Sequence, residues 1–121
     1  MSDTDVSYAN NVSLKQFTND VVVNDSVENS VVNLPLLLEY LANQEINEVQ
    51  VEAGARLNGA LLAAGLIDEL IIYMANIVMG DSARGLFSLP ELESMNDKIE
   101  FRCLDIRQVG ENFRLTLSPK Y

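Results

Sequence analysis

The chain has 121 residues, with no histidine and a single cysteine, Cys103. Without imidazole it lacks the usual general base, proton shuttle and metal ligand, and both Ser-His-Asp and Cys-His catalysis are excluded. One thiol forms neither an internal disulfide nor a zinc site, so no metal is expected. These absences remove the histidine-dependent and zinc-dependent enzyme classes from consideration.

Basic residues are also scarce, with 8 Lys plus Arg against 18 Asp plus Glu and a formal net charge of −10. This negative excess repels phosphate backbones and anionic lipids, so neither nucleic acid nor a membrane is an expected partner. Residues 1–5 are polar and acidic, unlike a signal peptide. The most apolar run, residues 66–79, contains Asp68, Glu69 and Asn76 and is too short to span a bilayer. The expected location is therefore the cytoplasm.

Hydrophobic residues make up 48% of the chain, which is enough for the core of one domain. The composition nevertheless differs between the first 29 residues and the rest of the chain. Residues 1–29 hold five acids and one base among many Ser and Asn, and are predicted to be acidic and poorly ordered, with one short strand at residues 20–23. Periodic apolar patterns begin near residue 30, so residues 30–121 are predicted to carry the fold.

Hydrophobic spacing predicts the first half of that fold. A helix is predicted over residues 34–44, with Asn33 as its N-cap and leucines at i, i+3, i+4 and i+7. A short strand at residues 48–52 comes next. Gly54 then breaks the chain, and a second helix follows that Gly65 ends.

The second half of the fold is predicted to be mostly β. Residues 69–74 are apolar at successive positions, as in a strand covered on both faces, and residues 76–92 predict a long loop. Alternation from Ile99 and again from Phe113, across a turn near Gly110, predicts a C-terminal β-hairpin. The predicted fold class is α/β, a mixed β-sheet with flanking helices and a C-terminal β-hairpin, with a right-handed crossover around the second helix.

The junction of strand, glycine and helix at Gly54 is the segment that indicates chemistry. Backbone N–H groups at the positive end of a helix can bind a phosphate or diphosphate. Gly59, inside the helix, is unfavourable by about 1 kcal/mol relative to Ala, which indicates a packing or a ligand reason for it. Such a junction is also a common structural turn, so the spacing leaves both interpretations open.

Several motifs in a fixed order give this junction a family context. They are Glu52-Ala53-Gly54, Gly59-Ala60-Leu61-Leu62, Gly65-Leu66-Ile67-Asp68-Glu69-Leu70, Asp81-Ser82-Ala83-Arg84-Gly85-Leu86, Leu89-Pro90-Glu91-Leu92 and Asp105-Ile106-Arg107-Gln108-Val109-Gly110. Over residues 30–118 the chain resembles the C-terminal reductase domain of the bifunctional riboflavin-biosynthesis deaminase–reductase.

The resemblance implies a fold like that of dihydrofolate reductase, and an NADPH-dependent reduction of 5-amino-6-(5-phosphoribosylamino)uracil from ribosyl to ribityl. By position it implies that Glu52 contacts the substrate. It also implies that the NADP diphosphate is held by Gly54, Ala55, Arg56, Leu57, Asn58, Gly59 and Ala60. No catalytic residue is indicated. From the residues alone, Glu52 fits an ordinary strand-end acid equally well, and Arg56 fits a side chain that points to solvent.

The chain departs from that family in ways that bear on function. The zinc deaminase half, which needs His-x-Glu and Pro-Cys-x-x-Cys, is absent, so deamination is excluded. The family's reductase domain is much longer, and residues 1–29 cannot supply its first half. The expected function is therefore the reductase, incomplete in this chain alone. The alternative is a non-catalytic interaction or oligomerisation module, in which a second copy or a partner chain completes the sheet.

Three further features have more than one interpretation. Asp68 and Glu69 form a carboxylate pair, but more simply they cap and solvate a turn. Arg84, in the loop at residues 80–87, faces a phosphate or bonds a nearby acid. Cys103 alternates with polar neighbours on a strand, and is predicted to be a small core residue rather than a nucleophile.

Overall fold

The computed structural model describes residues 4–8 and 32–121, and the chain forms two compact units, Met1–Gly54 and Ala55–Tyr121. Within the segment predicted to be poorly ordered, Thr4–Tyr8 forms strand β1. The strand predicted at residues 20–23 lies outside the described residues. Within the described ranges, no helix is long and apolar enough to cross a bilayer.

The first unit contains the predicted capped helix. Helix α1 (Leu34–Asn43) begins after Asn33, whose side chain accepts a hydrogen bond from the Leu36 amide at 3.1 Å. A small core forms where this helix and the turn after it bury the side chains of Leu37, Leu41 and Ile46. Strand β2 (Val49–Ala53) pairs antiparallel with β1. The strand of the predicted junction is therefore paired along one side.

The second unit combines one helix with an antiparallel sheet. Helix α2 (Ala55–Ala63) comes first and buries Leu61 and Leu62. The sheet has the strand order β3-β5-β4, in which the strands are β3 (Leu70–Met74), β4 (Glu100–Val109) and β5 (Asn112–Lys120). Strands β4 and β5 form the predicted hairpin, which turns at Gly110 with a φ of 62°.

A β-bulge at Leu104 keeps the two faces of the hairpin chemically distinct. The pairing with β5 shifts between Cys103 and Asp105, which leaves Leu104 without a partner across the ladder. One face of β4 then carries Phe101, Cys103 and Ile106. The other face carries Glu100, Arg102, Asp105 and Arg107. Simple alternation from Phe101, without the bulge, would turn the Asp105 carboxylate onto the apolar face.

Two burial predictions are wrong. Strand β3, at the edge of its sheet, is not covered on both faces, since Ile71, Tyr73 and Met74 are at least half exposed. Cys103 is exposed rather than a core residue. Its Sγ lies 3.9 Å from the carbonyl oxygen of Asp105. An apolar alternation indicates which face a residue lies on, but whether another element covers that face is decided by the packing.

The segment between β3 and β4 is the predicted irregular loop, interrupted by the 3₁₀ turn Met95–Asp97. At its start, Asn76 donates a hydrogen bond from Nδ2 to the Glu111 carbonyl at 2.7 Å and so ties the loop to the hairpin turn. The α/β class is confirmed. Every strand pair in the described residues is antiparallel, and β2 and β3 belong to different sheets, so the predicted right-handed crossover stays a prediction.

Candidate functional site

The side chain of Glu52 lies near the end of β2, in the first unit. It is exposed and accepts a hydrogen bond from Gln50 Nε2 at 2.7 Å. Positions 50 and 52 share one face of the strand, so the amide orients the carboxylate from its own strand. An exposed carboxylate held in this way can accept hydrogen bonds from hydroxyl or amino groups of a ligand. Its role in substrate binding stays a prediction.

Gly54 has open space around it. A Cβ built on this residue would meet no atom within 4 Å, and its φ is not positive, unlike those of Gly65 and Gly110. Neither crowding nor a left-handed turn therefore explains a glycine at this position among the described residues. The open space gives a ligand room to approach the backbone.

The N-terminus of α2 has the electrostatics of an anion site. The first amides of a helix have no partner within it, and they form the positive end of the helix dipole. The first turn of α2 contains no acidic residue. Arg56 lies in that turn with an exposed side chain, and it forms no ion pair with any residue that the structure describes. The charge within this turn thus favours an anion.

A short segment of the loop, residues 86–88, lies along the first two turns of α2 and is called the strap below. The Ser88 amide donates a hydrogen bond to the Ala55 carbonyl at 2.8 Å. The Asn58 side chain donates from Nδ2 to the Leu86 carbonyl at 3.5 Å. A Cβ built on Gly59 would collide with the Ser88 carbonyl oxygen and lie 2.9 Å from its carbon. The strap and the helix are therefore in direct backbone contact.

These contacts divide the seven predicted cofactor residues between two sides of the helix. Ala55, Asn58 and Gly59 form one helical stripe, which the strap covers. Arg56 and Ala60, four positions apart, lie on another, exposed side. The remaining two are the open Gly54, which precedes the helix, and the half-buried Leu57.

The other polar residues singled out by sequence are exposed. Asp68 and Glu69 lie in the turn before β3, and their exposure fits the capping and solvating role. Arg84 is exposed, and no acid among the described residues pairs with it. In the sequence, only Gly59 indicated a contact of this kind, because a glycine inside a helix needs a reason. The adjacent residues did not show which segment makes the contact.

Comparisons with known proteins agree on one family. The family model of the RibD C-terminal domain matches residues 3–115. The chain is 48% identical over 86 residues to the riboflavin biosynthesis protein RibD of Escherichia coli, a match that covers 71% of this chain and 23% of that protein. It is 44% identical over 92 residues to the 5-amino-6-(5-phosphoribosylamino)uracil reductase of Buchnera aphidicola, covering 76% of this chain and 44% of the relative.

The solved structures agree with the sequence relatives. Acinetobacter baumannii RibD superposes on this chain with a TM-score of 0.65 and 38% identity, over 74% of this chain and 25% of that one. The matched region thus spans between about a quarter and less than half of the length of these relatives.

Proposed function

The chain belongs to the RibD C-terminal domain family, and on this basis we propose that it acts in the NADPH-dependent reduction of 5-amino-6-(5-phosphoribosylamino)uracil, from ribosyl to ribityl, in riboflavin biosynthesis. The observation that carries the proposal is the N-terminus of α2, which combines an open glycine, the positive end of a helix dipole and a first turn without acids. Because the chain spans less than half of its reductase relative, the proposed role is that of one part of the reductase.

The residues present fit a dinucleotide cofactor. Gly54 leaves the backbone accessible, and the amides that open α2 would hold the diphosphate with Arg56 as an exposed counter-charge. When bound, NADPH supplies the hydride for the reduction. The work of the chain's own residues is to bind the diphosphate, to orient the cofactor and to exclude water.

Glu52 is proposed to bind the substrate. Its exposed carboxylate, oriented by Gln50, suits a ligand rich in hydroxyl and amino groups. No residue is proposed to deliver a proton. The first test concerns cofactor binding, since it depends on a smaller part of the site.

The test is a titration of the purified chain with NADPH, followed by nicotinamide fluorescence and by the melting temperature. The wild type is expected to bind saturably and to melt at a higher temperature with cofactor. Gly54→Asp is expected to weaken binding at least about tenfold, because it adds a negative charge where the diphosphate approaches. Its own melting temperature should change little, since the site has room for a side chain.

Gly80→Asp is the matched control. Gly80 also has no atom within 4 Å of a built Cβ and no positive φ, but it lies in the loop after β3. This control is expected to bind NADPH like the wild type. No binding by the wild type at millimolar NADPH, in a chain that melts cooperatively, would contradict the proposed function. Equal losses in both variants would contradict the placement of the diphosphate at Gly54.

A second candidate function is favoured by the exposed apolar surface of β3. Ile71, Tyr73 and Met74 on this edge strand are followed by Ile77, Val78 and Met79, and Val78 is fully exposed. Exposed patches of this kind mark interaction surfaces, and an unpaired strand edge can pair with another strand. The alternative proposal is a non-catalytic interaction or oligomerisation module, with a second copy or a partner chain pairing at β3.

A further inference from the structure

We propose that the strap is a positioning element for the cofactor stretch, and that Asn58 and Gly59 act by holding the strap rather than by contacting a ligand. The link to NADPH rests on the proposed function above. The attachment of the strap to α2 rests on contacts within the second unit alone.

The absence of a side chain at Gly59 is what admits the strap. Gly59 is buried, and a built Cβ would lie 2.9 Å from the Ser88 carbonyl carbon and 3.1 Å from its nitrogen. These are backbone atoms, which cannot swing aside as the end of a flexible side chain can. Any larger residue at Gly59 must therefore move residue 88 away from the helix. This contact explains a glycine that is otherwise unfavourable in a helix interior.

Two hydrogen bonds hold the strap next to that contact. The Ser88 amide reaches the Ala55 carbonyl in the first turn of α2, and the Asn58 amide group reaches the Leu86 carbonyl one turn later. Ala55, Asn58 and Gly59 are three and four positions apart, so they form one continuous stripe along the helix. The strap thus fixes the turn whose amides are proposed to meet the diphosphate.

This arrangement assigns different tasks to the two glycines. Gly59 is occupied by the protein's own backbone, whereas Gly54 faces open space. A ligand is therefore expected at the start of α2, where Arg56 is exposed, and not on the stripe that the strap covers. Asn58 and Gly59 are positioning residues, because they act on the cofactor through the strap and the first turns of α2.

The experiment compares Gly59→Ala with the wild type by two measurements on the full chain. Amide hydrogen exchange is followed at residue 88 and at residues 60–62, whose amides bond to the carbonyls of the first turn of α2, and the NADPH Kd is measured at a temperature where circular dichroism shows both proteins folded. In Gly59→Ala, exchange is expected to accelerate at these amides, and the Kd is expected to rise about tenfold. Gly80→Ala is the matched control and is expected to change neither quantity, since a Cβ there meets no atom within 4 Å.

Asn58→Ala provides a second variant that adds no volume, in case Gly59→Ala fails to fold. It removes the donor to the Leu86 carbonyl, and smaller changes in the same directions are expected. The proposal is overturned if exchange accelerates at residue 88 while the Kd stays at the wild-type value. It is also overturned if the Kd rises while exchange at residue 88 is unchanged, because Gly59 would then contact the ligand directly.

A failure of the proposed function gives a different pattern. If the wild type binds no NADPH, the cofactor role fails, and exchange alone decides whether the strap holds α2. Faster exchange at residues 60–62 in Gly59→Ala then supports the attachment, and unchanged exchange refutes it.

Discussion

Glu45 and Gly65 occupy the same position at the ends of the two helices. In each case two backbone hydrogen bonds close the helix. After α1, the amide of Ile46 donates to the Leu41 carbonyl at 3.1 Å and that of Glu45 to the Ala42 carbonyl at 3.0 Å. After α2, the amide of Leu66 donates to the Leu61 carbonyl at 3.0 Å and that of Gly65 to the Leu62 carbonyl at 3.1 Å. Both closing residues have positive φ, 62° for Glu45 and 68° for Gly65. This geometry is the Schellman motif, which usually places glycine at that position. The first helix thus carries a strained residue where the second does not.

Substitutions at these two positions are expected to change stability in opposite directions. Gly65→Ala should lower the free energy of unfolding by about 1 kcal/mol, because Ala in the left-handed region brings its Cβ close to the next carbonyl. Glu45→Gly should raise it by a few tenths of a kcal/mol up to about 1 kcal/mol, since strain relief exceeds the entropy that glycine loses. Urea unfolding measures both values. The same sign for both variants would show that the closing geometry does not control stability here.

At the scale of one element, the bulge in β4 decides which side chains share a face. Asp105 lies on the same side as Arg107 and Arg114, and its Oδ2 lies 2.8 Å from Arg107 Nε and 3.6 Å from Arg114 Nη2. These groups are partly exposed, so the ion pairs add little to stability by themselves. The main effect of the bulge is to keep the Asp105 carboxylate off the face that carries Phe101 and Ile106.

Two single-residue deletions in β4 test this role of the bulge. Deleting Leu104 removes the unpaired residue and leaves every other pair with β5 in register, so the melting temperature should change by only a few degrees. Deleting Ile106 instead removes a residue that pairs with β5, so the β4 side chains on one side of the deletion move to the opposite face of the sheet. This deletion is expected to unfold the hairpin or to lower the melting temperature far more. Thermal melts of both variants give the answer. Similar losses for the two deletions would mean that Leu104 is needed for a contact of its own.

At the scale of the whole molecule, charge and apolar surface are distributed unevenly. Residues 1–97 carry 3 bases and 15 acids, a net of 3 − 15 = −12, and residues 98–121 carry 5 bases and 3 acids, a net of 5 − 3 = +2. The sum is the formal net charge of −10. A large net charge opposes self-association, while exposed apolar residues on β3 and just after it favour it. Because the apolar residues include a strand edge that pairs with no other described strand, the short-range attraction is expected to exceed the screened repulsion at physiological salt.

The chain is accordingly expected to associate through β3. Sedimentation velocity over a concentration series at physiological salt should show a mean mass that rises above the 13.4 kDa of one chain. Tyr73→Lys is expected to reduce the association, because it places a charge on the edge strand. Leu92→Lys, at an exposed loop residue outside the patch, serves as the control and should associate like the wild type. A wild type that stays monomeric at every concentration would exclude a second copy as the partner at β3.

The sequence by itself determined the features that depend on near neighbours. The Asn33 cap, the leucine stripe of α1, the stop at Gly65 and the hairpin turn at Gly110 were all predicted and are all present. Each rests on a hydrogen bond or a backbone preference within a few residues, which local sequence specifies directly. The ordered motifs also sufficed to indicate the family, and the comparisons confirmed it.

Only the tertiary structure decided the features that join distant parts of the chain. It placed the Ser88 backbone against Gly59, left β3 and Cys103 exposed, and inserted the bulge at Leu104. Hydrophobic periodicity predicts on which face of an element a side chain lies, but not which other element covers that face. A glycine inside a helix indicates a close contact, but not which residue makes it. Contacts separated by tens of residues depend on how the loop and the strands pack, which no local pattern encodes.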